Sequence, residues 1–176
     1  MSEKNNRQKH IISVLVQNKF GVLSRVSGLF SGRGYNIESL SVAPTEDISL
    51  SRMTIVTSGS QEILEQIYKQ LNKLIDVIKV VDITGEKHVD REMVLVKVRA
   101  DASVRGDIIR AADIFNSNIV DASSKTCTIE ITGDGGKIQA FLDLMNSFGI
   151  LEIARTGKVT ISKGPKTLRS GRRGKF

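Results

Sequence analysis

One cysteine, two histidines and an aromatic content of 5% limit this chain before any pattern in it is read. Cys127 cannot close an internal disulfide, which suits a reducing compartment, and its place in an alternating apolar run marks it as a small buried hydrophobe. His10 begins a strand-like run and His88 sits in a charged joint, so neither offers a nucleophile or a carboxylate a partner for catalysis. No spacing of Cys, His or carboxylates suits a metal, and Gly-x-Ser-x-Gly is absent. The expected catalytic and metal-ligand sets are therefore empty. No apolar run approaches the roughly 18 residues of a membrane span, and residues 1–9 lack the apolar core of a signal peptide. A cytoplasmic protein without a membrane partner is the expectation.

What remains is ordinary in composition. The 176 residues are 40% hydrophobic, enough for one medium domain or two small ones. The net charge of +7 is local: Lys158, Lys163, Lys166, Arg169, Arg172, Arg173 and Lys175 all follow Glu152, the last acidic residue, and equal the whole excess. A basic end rich in Gly and Ser reads as a disordered appendage or as an arm for a polyanion.

The chain carries one pattern twice. Ile12, Val14 and Val16 alternate with Ser13 and Gln17 in a strand over 10–17, with Ile11 and Leu15 suggesting burial on its second face too. Val22, Leu23, Val26, Leu29 and Phe30 recur at helical spacing until Gly32 and Gly34. Residues 35–43 and 48–57 form a hairpin around Pro44-Thr45-Glu46-Asp47. Ser58-Gly59-Ser60 offers helix caps, Ile63, Leu64, Ile67, Leu71, Leu74 and Ile75 make an apolar face, and 77–83 reads as a strand. The second half repeats this: a strand over 93–98, a helix capped by Ser103 with Ile108, Ala111, Ala112 and Phe115 inward, strands over 119–122 and 126–132, a helix capped by Asp134, and a strand over 150–156. The fold class is α+β, with two ferredoxin-like βαββαβ modules whose antiparallel sheets carry their helices on one face. The expected divisions are a flexible N-terminus over 1–9, a first domain over 10–84, a linker over 85–91, a second domain over 92–163, and a basic disordered tail over 164–176.

The junction between the first strand and helix is the promising site. A helix that starts straight after a strand has unpaired N–H groups and a dipole that favours an anion. Gly21 lacks the Cβ that would hold a carboxylate away, Phe20, Val22 and Leu23 are apolar, and Asn18 can both donate and accept. These match the carboxylate, side chain and ammonium group of an α-amino acid. An ordinary turn with Gly21 supplying an awkward dihedral is the alternative. A second candidate runs from Arg33 to Leu40, where Asn36 and Glu38 should share a strand face with Leu40 and Val42; a plain hairpin flank competes with it. Gly32-Arg33-Gly34 lacks the third glycine of a dinucleotide fingerprint, and Gly133-Asp134-Gly135-Gly136-Lys137 lacks the Ser or Thr after a Walker lysine.

The runs Asn18-Lys19-Phe20-Gly21-Val22-Leu23-Ser24-Arg25-Val26, Leu29-Phe30, Arg33-Gly34-Tyr35-Asn36-Ile37-Glu38-Ser39-Leu40 and Leu50-Ser51-Arg52-Met53-Thr54 closely resemble the small regulatory subunit of acetolactate synthase, also called acetohydroxyacid synthase. In the second half Arg91-Glu92, Ile119-Val120-Asp121, Ala140-Phe141 and Glu152-Ile153-Ala154-Arg155-Thr156-Gly157 agree with it. The resemblance spans roughly residues 10–163. It implies an N-terminal ACT domain over 10–84 and a ferredoxin-like C-terminal domain. It implies a chain that binds no cofactor itself and serves a large catalytic subunit holding thiamine diphosphate, magnesium and FAD. Such a subunit raises the activity of its partner and confers feedback inhibition, commonly by valine, in branched-chain amino-acid synthesis. Its effector sits where two ACT domains pair as a homodimer. Carried over, Asn18, Lys19, Phe20, Gly21, Val22 and Leu23 would grip the amino acid's main chain, with Asn36 and Ile37 from the neighbouring subunit.

A nucleic-acid-binding protein with two ferredoxin-like modules and a basic arm is the rival. Modules of that kind stack bases on aromatic residues of an open sheet. Here Phe30, Phe115, Phe141 and Phe148 fall on helical faces and only Tyr35 nears a strand, which argues against nucleic acid as a partner.

Overall fold

The first strand, β1 (Gln8–Gln17), has a strand on either side and is buried on both faces: Ile12, Val14 and Val16 on one, Ser13 and Leu15 on the other. It is followed by α1 (Val22–Ser31), β2 (Ile37–Pro44), β3 (Leu50–Gly59), α2 (Gln61–Leu71) and β4 (Val77–Asp82). The second half contains β5 (His88–Arg99), α3 (Arg105–Ile114), β6 (Asn118–Ala122), β7 (Thr126–Gly133), α4 (Gly135–Asn146), β8 (Ile150–Arg155) and β9 (Val159–Ser162). This is a computed structural model, and it describes residues 8–168. Two units divide the chain: residues up to Val89 together with those from Thr160 onward, and Asp90–Val159.

In the first unit the strands run antiparallel in the order β2-β3-β1-β4. Both helices pack on one face, where Val22, Val26, Phe30, Leu64, Ile67 and Leu71 meet Ile12, Val14, Val16, Met53, Ile55 and Val80. In the second the order is β6-β7-β5-β8, with β9 pairing β5 off that path. Val94, Val96, Val98, Ile129 and Ile131 face Ile108, Ile138, Phe141 and Met145 there, and Cys127 is buried among them. The ferredoxin-like expectation holds for each half.

Several local expectations change. β1 begins at Gln8, so Gln8 and Lys9 pair with Gly59 and Ser58 and are not frayed; residues 1–7 of the expected flexible N-terminus lie outside the described residues. β2 carries a bulge between Ile37 and Ser39, which inserts a residue and resets the alternation. Ile37 therefore packs with Leu40 against the core, while Glu38 turns to Lys9 and Ser58. Ile75, placed on the inner face of α2, stands beyond the helix end and is exposed. Ser103 does not cap α3: its hydroxyl and N–H both donate to Asp101. Ser60 and Asp134 do cap α2 and α4, accepting from the N–H groups of Ile63 and Lys137.

The largest difference lies at the C-terminal end. Residues 160–168 run across the face of the first sheet that the helices leave open and bury Leu168 there, without adding a strand to that sheet. Thr160 meets Ser13, Lys79 donates to the Thr167 carbonyl, Lys166 pairs with Glu86, and the Lys163 N–H donates to Lys87. By its contacts the second unit ends at Val159. Of the tail expected to be disordered, residues 164–168 are held by these contacts, and 169–176 lie outside the described residues. The second face, with Ser13, Leu15 and Val56 buried on it, is covered by a mostly polar segment that contributes Thr160 and Leu168 as its buried residues.

Candidate functional site

The chain leaves β1 at Gln17 and enters α1 five residues later, through Asn18, Lys19, Phe20 and Gly21. Two bonds hold Asn18: its N–H donates to the Ser49 carbonyl (2.7 Å) and its Nδ2 to the Ile48 carbonyl (2.9 Å). Its Oδ1 is left as an acceptor. Gly21 occupies the N-cap in the left-handed region, φ +79°, where a Cβ is strained. No side chain caps α1 and its first turn holds no acidic residue. Val22 makes a long contact to the Lys19 carbonyl (3.4 Å), and the N–H groups of Gly21, Leu23 and Ser24 find no partner among the described residues. Three donors at or beside the positive helix end are therefore without a partner among the described residues.

A cation stands over them. A Cβ built on Gly21 would lie 3.0 Å from Nη1 of Arg25, so the guanidinium reaches back across the helix start. Its Nε and Nη2 donate to the Asp76 carboxylate at 2.9 and 2.5 Å, while Nη1 has no hydrogen-bond partner among the described residues. Asp76 is buried at the start of β4 and its carbonyl accepts from Gln17, tying β1, α1 and β4 at one point. Arg25 was legible in principle: it follows Gly21 by four residues, one helical turn, and helical side chains lean toward the N-terminus. Asp76 was not, because only sheet pairing brings it 51 residues back along the chain.

The surroundings are apolar and open. Phe20 is fully exposed, Leu23 is 43% exposed, Ile48 is 81% exposed, and Val22 is buried beneath. Lys19 is exposed beside them. An arrangement of free amides, a guanidinium and exposed apolar side chains can hold a small carboxylate and give its hydrocarbon part somewhere to rest.

Asn36 and Ile37 are elsewhere. Ile37 pairs with Thr57, and Thr57 pairs with His10, at the opposite end of β1 from Gln17 and Leu50. At about 3.3 Å per residue this separates them from the Asn18–Leu23 junction by roughly 23 Å within one chain. Asn36 is exposed and its carbonyl accepts from Thr57 Oγ1 (2.6 Å). Nearby, hydrogen bonding from Ser58 and then from Lys9 holds the Glu38 carboxyl below its ordinary value.

His10 is buried with Nε2 against the Gly59 carbonyl (3.2 Å), and His88 Nδ1 lies 2.8 Å from the Glu86 carbonyl. Among the described residues no group of three or more His, Cys, Asp or Glu is placed to hold a metal ion. Nor is any helix among the described residues long and apolar enough to cross a membrane.

Known proteins share this architecture in sequence as well as shape. Residues 91–164 match the family described as the small subunit of acetolactate synthase, and residues 12–79 match the AHAS small subunit-like ACT domain. The probable acetolactate synthase small subunit of Archaeoglobus fulgidus is 54% identical over 158 residues, covering 90% of this chain and 99% of that protein. The chain belongs to the acetolactate synthase small-subunit family. The small subunit of Mycolicibacterium smegmatis is 52% identical over 92% of this chain and 95% of its own length, and that of Haemophilus influenzae 51% over 91% and 99%. The crystal structure of the Thermotoga maritima acetolactate synthase small subunit superposes with a TM-score of 0.82 at 41% identity, over 89% of this chain and 98% of that one. The small subunit described here is thus a regulatory chain with an ACT domain, and its family implies a catalytic large subunit as partner.

Proposed function

We propose that this small subunit raises the activity of its thiamine-diphosphate-dependent catalytic partner and confers feedback inhibition by a branched-chain amino acid, valine foremost, bound at the β1–α1 junction. The supporting observation is the bare start of α1: three free N–H groups and the Arg25 Nη1 over Gly21, with no acidic side chain of its own in the first turn. Thiamine diphosphate, magnesium and FAD are assigned to the partner, and the cytoplasm is the assigned place of action.

A homodimer completes the site in this reading. β2 is an edge strand, with its outer hydrogen-bonding groups available to another strand. β2 runs parallel in direction to β1, so Pro44 lies at the same sheet end as Gln17, and Ile37 at the other. Antiparallel pairing of two β2 edges sets the Asn36 and Ile37 of one copy beside the Pro44 end of its partner. The 23 Å gap within a chain then becomes proximity between chains. Asn36 and Ile37 join Asn18, Lys19, Phe20, Gly21, Val22 and Leu23 around one effector, with Asn18 Oδ1 left to accept from its ammonium group.

An effector changes activity only by binding one arrangement of the dimer better than another. A coupling of about 1–3 kcal/mol corresponds to roughly a 5- to 150-fold change. The test is calorimetric titration of the full chain with valine, leucine and isoleucine, expected to give saturable binding that Gly21→Asp abolishes. Binding by the variant with unchanged affinity removes the junction as the site.

A further inference from the structure

The open face of the first sheet holds a second feature that the effector reading leaves unused. Where residues 160–168 cross that face they leave a cavity of about 410 Å³, whose walls include Leu15, Leu50, Arg52, Ile161, Thr167 and Leu168. This is within the range of small-molecule sites. Arg52 projects into it from β3, half-buried. One nitrogen, Nη2, is engaged, by the Ser13 hydroxyl (3.2 Å) and the Thr160 carbonyl (2.5 Å). Both acceptors are neutral.

This is an unusual setting for a guanidinium. Burial alone moves the Arg52 pKa, downward, whereas in the second unit Glu92 raises that of Arg155. On the cavity rim the Asp47 carboxylate is turned to the N–H and hydroxyl of Ser49. Glu46 lines the cavity as well, but the hydrogen bonds of the Arg52 guanidinium go to neutral acceptors, and a cation taken partly out of water in that setting favours an anion as a further partner. With both Nη2 hydrogens engaged, Nη1 is left to give a carboxylate one charge-assisted hydrogen bond, and the apolar part of the lining, Leu15, Leu50, Ile161 and Leu168, favours an anion with a hydrocarbon end.

We propose that this cavity is a second ligand site, taking a small aliphatic carboxylate whose acid group meets Arg52 and whose branches lie on Leu15, Leu50, Ile161 and Leu168. It is separate from the β1–α1 junction and does not depend on that site's role. Because one wall is the returning segment, the ligand also fastens that segment to the sheet.

The test uses the full chain carrying Gly21→Asp, which takes the junction out of play, and 4-methylpentanoate as probe with its neutral amide as control. Calorimetry is expected to show one saturable site for the acid and none for the amide. Affinity should fall about tenfold in Arg52→Gln, as loss of a charge-assisted contact requires. Thr167→Trp, at an exposed rim position that leaves Arg52 intact, should block binding without unfolding the chain. The proposal is overturned if the acid does not bind, if the amide binds equally well, or if affinity survives Thr167→Trp.

Discussion

At the first passage from central strand to helix, between Gln17 and Val22, the turn contains Gly21, carries no acidic residue and leaves amides without partners. At the equivalent passage of the second unit, between Arg99 and Arg105, Asp101 stands in the turn and accepts from the N–H and the hydroxyl of Ser103. Its carbonyl also accepts from Arg105, and Asp107 follows in the first helical turn. The two passages share topology and differ in where the negative charge comes from. The second supplies its own, the hydrogen bonds from Ser103 holding the Asp101 carboxyl below its ordinary value. The first has no acidic residue in its opening turn, and the Arg25 guanidinium lies over Gly21. Repeated architecture can therefore leave a helix start bare in one copy and close it with its own acidic residue in the other, through the exchange of a few turn residues.

The sharpest way to break this contrast is to make the first passage like the second. Gly21→Asp puts a carboxylate against Arg25 and the free amides, and in the reconstituted holoenzyme it should abolish feedback inhibition while activation persists. An inhibition titration that matches the unmodified subunit removes the distinction. Next comes Arg25→Met, expected to weaken effector binding about tenfold by losing a charge-assisted contact, measured by calorimetry. It should also cost about 1–2 kcal/mol in urea unfolding, because Asp76 is left buried without its partner, a loss discounted for the half-exposed arginine.

The second unit offers a matched control. Arg155 binds Glu92 through Nε and Nη2 at 2.9 and 2.6 Å, with nearly the exposures of the Arg25–Asp76 pair. Arg155→Met should cost a comparable 1–2 kcal/mol or so, yet leave effector affinity unchanged. A shift in affinity would mean that the units are coupled more tightly than their separate chemistry suggests. Smallest of all is Asp101→Ala, expected to lower the urea midpoint slightly and leave the effector response untouched. Since its folded pKa is depressed, the stability Asp101 supplies is fully present above its unfolded value near 3.9 and fades as pH falls through the lower folded one. The gap between variant and parent should close accordingly in acid.

Legibility in the sequence followed the range of the interaction. The helices, the hairpin around Pro44 and the caps at Ser60 and Asp134 were readable because each depends on residues within a turn or two. The shift at Glu38 was not, since a bulge is set by the partner strand and alternation by itself has no marker for it. The bare start of the first helix was legible from its glycine, but Asp76 and the cavity at Arg52 involve partners 51 and 108 residues away.

What the sequence determined by itself is the doubled βαββαβ plan, the buried faces and the uncapped first helix, because periodicity and turn chemistry act between near neighbours. Tertiary structure alone decided that residues 160–168 cover the first sheet, that Arg25 is shared between Asp76 and the space over Gly21, and that Asn36 lies at the far end of β1. Those outcomes rest on which distant surfaces exclude water together, and no local pattern encodes that choice.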